Sequence, residues 1–166
     1  MKRSVICSVL LATLFLMVVG LAAKDQEVKF KTLEVKPFVL AQGVALPDRI
    51  NSADYLKLFS EQLQMQLEKK GIANQVVGDG ASVPEADLGD SIVIEGKMTD
   101  FKKAGHTMMN PAVLTWEISV YHLKDHTPIT TLTPELKLVP AAFRDDKELA
   151  KVTGGWLADQ INKALK

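Results

Sequence analysis

Three groups of residues in this 166-residue chain have types and spacing that could do chemistry. The first is "HLKDH", in which His122, Asp125 and His126 crowd together with Lys124. Imidazole and carboxylate are ligands for transition metals. On a helix the four-residue spacing would put both imidazoles on one face, but this segment ends an alternating strand and enters a turn. The expectation is that His122 closes the strand and His126 is a solvated turn residue. The second group is Asp79, Glu85, Asp87 and Asp90 in "GDGASVPEADLGD". Calcium takes oxygen ligands from such loops, yet the spacing is not that of a calcium-binding loop. Gly78 and Gly80 also lack the Gly-Lys-Ser/Thr that makes a phosphate cradle. A solvated acidic loop is the reading. The third group is His106, Met108 and Met109 in "AGHTMMNPA". Thioether and imidazole suit copper, and paired methionines also make adaptable apolar contacts.

Nucleophilic catalysis finds less support. Cys7 is the only cysteine and lies in the apolar leader. There is no Gly-x-Ser-x-Gly elbow. Serines, histidines and acids are all present, but no local motif favours any set of them as a triad. We expect no enzyme, no metal and no cofactor. An exported hydrolase is the weakest of three readings.

Met1-Lys2-Arg3 followed by "SVICSVLLATLFLMVVGLAA" has the basic, apolar and small-residue parts of a secretory signal. Cleavage would follow Ala22 or Ala23. The rival is an uncleaved anchor, because the run just reaches spanning length. Export without a cysteine beyond the leader means no disulfide, so the domain relies on its core. The leader holds two basic residues and no acid, which leaves the remainder with a net charge of −2. With no basic stripe, nucleic acid is not an expected partner. The organisation expected is a signal peptide over 1–23, a polar leader over 24–32 and one domain over 33–166.

These groups must be held by a small set of elements. Leu33, Val35 and Val39 alternate as a strand interrupted at Pro37. "NSADYLKLFSEQLQMQLEKKG" is a helix with Asn51 or Ser52 as cap and Gly71 as stop. Leu56, Phe59, Leu63 and Leu67 line it with Tyr55 beside them, and Leu58 and Met65 lie opposite. "IANQVVGD" is a short strand. In "SIVIEGKMTDF", Ile92, Ile94, Gly96 and Met98 face one way, and Val93, Glu95, Lys97 and Thr99 the other. Gly96 in mid-strand signals a bulge or a close neighbour. "VLTWEISVYHL" points Leu114, Trp116, Ile118 and Val120 to one side and Thr115, Glu117 and Ser119 to the other. "ITTLTPELKLV" returns as a strand broken near Pro134. The last helix, capped by Asp145 or Asp146, presents Leu149, Val152, Trp156, Leu157, Ile161 and Leu165. Its Gly154-Gly155 pair implies a kink or very close packing on the sheet.

The expected fold is α+β: a mainly antiparallel sheet of about five strands with two helices on one face, in the order β-α-β-β-β-β-α. Two surfaces follow from it. The wet sheet face (Glu95, Lys97, Thr115, Glu117, Ser119) and the loop with His106, Met108 and Met109 would serve a protein partner. Alternatively, a pocket between sheet and helices, lined by Trp116, Trp156 and methionines, would hold a lipid or small molecule.

"LEVKPF", a helix ending "LEKKG", then "EADLGDSIVIEGKMTDF" and the strand pair joined at "HLKDHTPITTL" carry a resemblance over about Leu33 to Leu165. In these, the chain resembles bacterial exported families of unknown function, related in shape to the TolB amino-terminal domain and CsgG-like envelope proteins. Two positions depart from the pattern. No lipid-anchoring cysteine follows the signal, and "HTP" replaces the turn glycine after the aspartate. The resemblance implies a non-catalytic periplasmic or secreted domain with a protein partner in the cell envelope, as an accessory of an assembly or transport complex. It supplies no catalytic residue. Membrane contact would come only from the N-terminal segment, if that segment is kept.

Overall fold

The computed structural model describes residues 29–103, 111–139 and 145–166. The expected leader over 1–23 and the loop with His106, Met108 and Met109 lie outside these residues. The described strands are β1 (Phe30–Val35), β2 (Val39–Leu40), β3 (Ala73–Gly78), β4 (Ile92–Lys102), β5 (Ala112–His122), β6 (Pro128–Leu132) and β7 (Glu135–Leu138). The helices are α1 (Ser52–Lys69) and α2 (Asp146–Ala164), with a 3-10 turn at Glu85–Asp90 in the acidic loop. β1 starts at Phe30, inside the segment read as a polar leader, because Phe30 and Thr32 are buried and pair with β3.

Five strand positions hold the seven strands, in the order β3-β1-β4-β5-β6. β2 continues the β1 position along β4 after Pro37, and β7 shares with β6 the far side of β5, parted near Pro134. Proline cannot donate to a ladder, so both interruptions fall where the sequence places them. The α+β class and the two helices stand as expected. The sheet is mixed: most of its pairing is antiparallel, as expected, and β1 and β2 add parallel ladders. β1 runs parallel to β3 and β4, and β2 runs parallel to β4. The reason is the crossover. Parallel neighbours need a connection as long as a helix, and α1 supplies it between the β1 position and β3. Only β4, β5, β6 and β7 pair antiparallel.

Both helices cover one sheet face. Leu33, Val35, Ile92, Ile94, Met98, Leu114, Trp116, Ile118 and Val120 meet Tyr55, Phe59, Leu63 and Leu67 of α1 and Leu149, Leu157 and Ile161 of α2. Each side chain of this size buried from water stabilises by about 2 kcal/mol. Leu56, Val152 and Trp156 are only partly buried against the core, while Ala150, Thr153, Gly154 and Ala158 are fully so. Leu58 also leans on the core, and Met65 is 37 % exposed.

The centre of this layer is aromatic. The Phe59 ring stacks on Trp116 with centroids 4.7 Å apart, and Phe38 meets both edge-on at 5.1 and 5.8 Å. Phe38 reaches there by lying over Gly96. A Cβ at Gly96 would strike the Phe38 ring and come within 2.9 Å of the Glu117 carbonyl oxygen. The glycine serves a close neighbour. The one β4–β5 register shift falls two residues on, between Met98 and Asp100.

Asn51 Oδ1 accepts from the amides of Ala53 and Asp54 to cap α1, and Asp145 Oδ1 accepts from Glu148 N to cap α2. Gly71 ends α1 with φ +62°. The helices run in the same direction. Asn51 N donates to Asp146 near their starts, and Lys70 pairs with Asp159 near their ends. Tyr55 Oη donates to Thr153 Oγ1 at 3.1 Å, and Thr153 Oγ1 in turn donates to Leu149 O. Gly154 is the point of closest approach. A Cβ there would lie 3.0 Å from Gln62 Cβ and 3.1 Å from Leu63 N. The tight contact expected at the glycine pair is thus with the other helix rather than with the sheet, and Gly155 has open space.

Candidate functional site

The alternation of β4 and β5 leaves a second row of side chains on the face away from the helices. Glu95 stands opposite Ser119, and Lys97 opposite Glu117. Antiparallel neighbours of opposite charge pair across the ladder, and Lys97 Nζ lies 3.1 Å from Glu117 Oε1. The Tyr121 hydroxyl donates to Glu95 Oε2 at 2.9 Å. Burial first, and the Glu95 carboxylate second, push the Tyr121 phenol up to about 12. It therefore remains a donor throughout the neutral range.

β1 adds the next row. Glu34 and Lys36 project to this same face, because Leu33 and Val35 project to the other. The chain from β3 to β4 must cross the sheet to join strands that are parallel but not neighbours. It meets the open face at Glu34, whose Oε1 accepts from Gly80 N at 3.3 Å. Glu34 is consequently only 5 % exposed. Lys36 Nζ compensates it at 2.8 Å and reaches Asp79 Oδ1 at 2.8 Å as well. Asp79 chiefly, then Glu34, hold the Lys36 ammonium well above its ordinary value.

A cleft of about 380 Å³ opens between these rows. Lys36, Asp79, Glu95, Lys97, Glu117 and Ser119 line it, with Pro37 and the 52 %-exposed Val39 at one side. What this arrangement offers chemically is fixed charge on a rigid floor: carboxylates held close to ammonium groups, and a phenol that donates.

The residues named from sequence divide as follows. Glu95, Lys97, Glu117 and Ser119 come together in the cleft, and Thr115 continues the same face, its carbonyl accepting from Thr99 Oγ1 at 3.3 Å. Trp116 and Trp156 line neither this cleft nor two others among the described residues. The space at Trp116 is filled by the rings of Phe38 and Phe59, and Trp116 is wholly buried. Among the described residues its Nε1 hydrogen has no partner, a burial that costs about 1–3 kcal/mol. Trp156 packs half-buried from α2. Of the groups with metal-ligand spacing, Asp87 and Asp90 pair with Lys31 at 2.9 and 3.4 Å, while Asp79 pairs with Lys36. Asp125 accepts from Thr127 N at 3.0 Å, which holds its carboxyl below the usual range and shapes the turn. His126 is exposed in that turn with φ +56°, its ring 5.1 Å from that of Tyr121. Among the described residues no three His, Cys, Asp or Glu side chains gather to hold a metal ion.

Sequence reasoning missed Glu34, Lys36, Val39 and Tyr121 as members of the site. The signal was available in part: Glu34, Lys36 and Val39 fall on the polar side of the alternation around Pro37. That β1 lies beside β4 could not be read locally.

The fold so defined is a two-layer α+β sandwich in which, among the described residues, both long helices pack on the same sheet face. No family model and no curated protein matches the chain. Solved structures do match in shape. A protein described as the PelC dodecamer from Paraburkholderia phytofirmans aligns over 83 % of this chain and 90 % of its own, with a TM-score of 0.53 and 9 % identity. XCC0632 from Xanthomonas campestris, of family DUF330, aligns over 82 % and 89 %, with a TM-score of 0.50 and 16 % identity. TolB from Acinetobacter baumannii aligns over 82 % of this chain but 28 % of its own, at a TM-score of 0.41 and 13 % identity. The expected likeness to bacterial proteins of unknown function is met in XCC0632. At such identities the likeness is one of fold.

Proposed function

We propose that this protein is a non-catalytic, exported domain of a bacterial envelope that works by binding a partner protein on its open sheet face, as an accessory subunit of an assembly or transport complex. The observation that carries the reading is the cleft of Lys36, Asp79, Glu95, Lys97, Glu117 and Ser119. Lys36 pairs with Asp79 and Lys97 with Glu117, Glu95 accepts from the Tyr121 hydroxyl, and the sheet presents all of them on one face. The basic, apolar and small-residue N-terminus supports export. Among the described residues no helix is long and apolar enough to cross a membrane. The description of PelC as a dodecamer supports assembly as a use of this fold. The carrier reading loses its named lining at Trp116, where the protein's own rings fill the space.

The test is a crosslinking pull-down from the native cell envelope with three baits. Wild type and Lys151→Glu, altered on the exposed side of α2, should retain the same dominant protein, and Lys97→Glu should lose it. Retention by Lys97→Glu, or labelling of the chain by active-site-directed hydrolase probes, would overturn the proposal.

A further inference from the structure

The two edges of the sheet are built differently. On one side, the β6–β7 edge carries several of the common defences against strand addition. It starts with Pro128, is interrupted at Pro134, sits on a register shift between Val120 and Tyr121, and bears Glu135 and Lys137. On the other side, β3 runs for six residues, "ANQVVG", with no charge and no proline. Its register on β1 is continuous from Gln75 to Gly78, and Asn74 and Gln75 are exposed. Among the described residues no strand lies beyond it. Alternate backbone N–H and C=O groups of a strand point away from its neighbour, so β3 presents an unguarded row of them.

We infer that β3 is a self-association edge, and that two copies of this chain pair antiparallel through it about a two-fold axis. Two features select a second copy, and this arrangement of it. A two-fold axis brings like residues close together, so a charged edge would oppose itself, whereas Ala73–Gly78 has no charge to repel. With the axis between the two copies of Gln75, Asn74 falls opposite Val76 of the second copy and Ala73 opposite its Val77, so that opposed side chains share a face. The defended β6–β7 edge also leaves no second strand for head-to-tail growth. The contact is therefore isologous and closes at two. The result is one continuous sheet with the helices of both copies on one face. This inference uses the edge of the sheet and stands independently of the open-face cleft.

Sedimentation of the purified full chain carrying Cys7→Ser tests it, together with single-cysteine crosslinking, which becomes unambiguous because Cys7 is the only native cysteine. We expect a dimer at tens of micromolar, at least a tenfold weaker association in Gln75→Lys, and no change in Thr131→Lys on the β6 edge. Mild oxidation should give a covalent dimer from Gln75→Cys and none from Thr131→Cys. The crosslink reports position even if the lysine variant proves unstable. A monomer at every concentration, an assembly larger than two, or crosslinking at position 131 instead of 75 would overturn the inference.

Discussion

Lys97 and Met98 are consecutive on β4 and belong to different worlds. Met98 is fully buried under the helices, in a layer whose members touch rings and aliphatic chains. Lys97 lies on the opposite face, about half-exposed, and its polar contact is Glu117. Helix-side positions are fixed by volume. Open-side positions are fixed by charge and leave room for something else. With the proposed function, such a division gives stability to one face and recognition to the other, and it can be broken by measuring both properties at both faces.

The largest effect belongs to the covered face. Phe59→Ala removes the ring stacked on Trp116 and should cost about 4 kcal/mol, read as a fall in the urea midpoint at unchanged slope. A cost below 1 kcal/mol would mean the aromatic layer is not tightly packed. Next comes Gly96→Ala, where one methyl group must displace Phe38. About 2 kcal/mol of destabilisation is expected, although alanine ordinarily suits a strand better than glycine. Pairing it with Phe38→Leu sharpens the test, because the two changes should be less than additive.

Smaller effects lie on the open side. His126 adopts a left-handed conformation that costs a non-glycine residue about 1 kcal/mol. His126→Gly should therefore raise stability by that amount in thermal unfolding. The phenol of Tyr121 follows in the alkaline range. Its folded pKa, about 12, exceeds the ordinary value of 10.0. The unfolded chain therefore loses this proton first, and the contribution is whole below pH 10 and lost as pH rises through 12. In an ultraviolet titration Glu95→Gln should move that midpoint down toward 10. An unmoved midpoint would remove the Glu95 contact from the account. Smallest of all, Lys97→Ala breaks a pair exposed on both sides and should change stability by no more than about 0.5 kcal/mol, even though it should weaken partner capture strongly. A larger loss of stability would erase the contrast between the two faces.

Sequence periodicity revealed much of this. The opposite projections of Trp116 and Glu117, the caps at Asn51 and Asp145, and the breaks at Pro37 and Pro134 are all local events, governed by alternation and backbone chemistry. Strand partnership is not local. The parallel pairing of β1 with β3 and β4 depends on a crossover, and nothing in "TLEV" records which strands will flank it. For the same reason Glu34 reads as a wet residue in the sequence, although the β3–β4 connection covers it. Gly96 announced a close neighbour without naming Phe38. The glycine pair in α2 announced close packing without saying that α1 would be the partner. For the site, half of the cleft was legible from the alternation of β4 and β5. The half from β1 and the loop at Asp79 appeared only when the sheet order was known.

The most direct measurement is site-specific photo-crosslinking in the native envelope, with the crosslinking amino acid placed at Ser119 in the cleft or at Lys151 on α2. The account predicts a single discrete adduct from position 119 and none from position 151. An adduct from position 151 alone, or a cleft that captures nothing while Lys97→Glu leaves the protein's envelope complex intact, would contradict it.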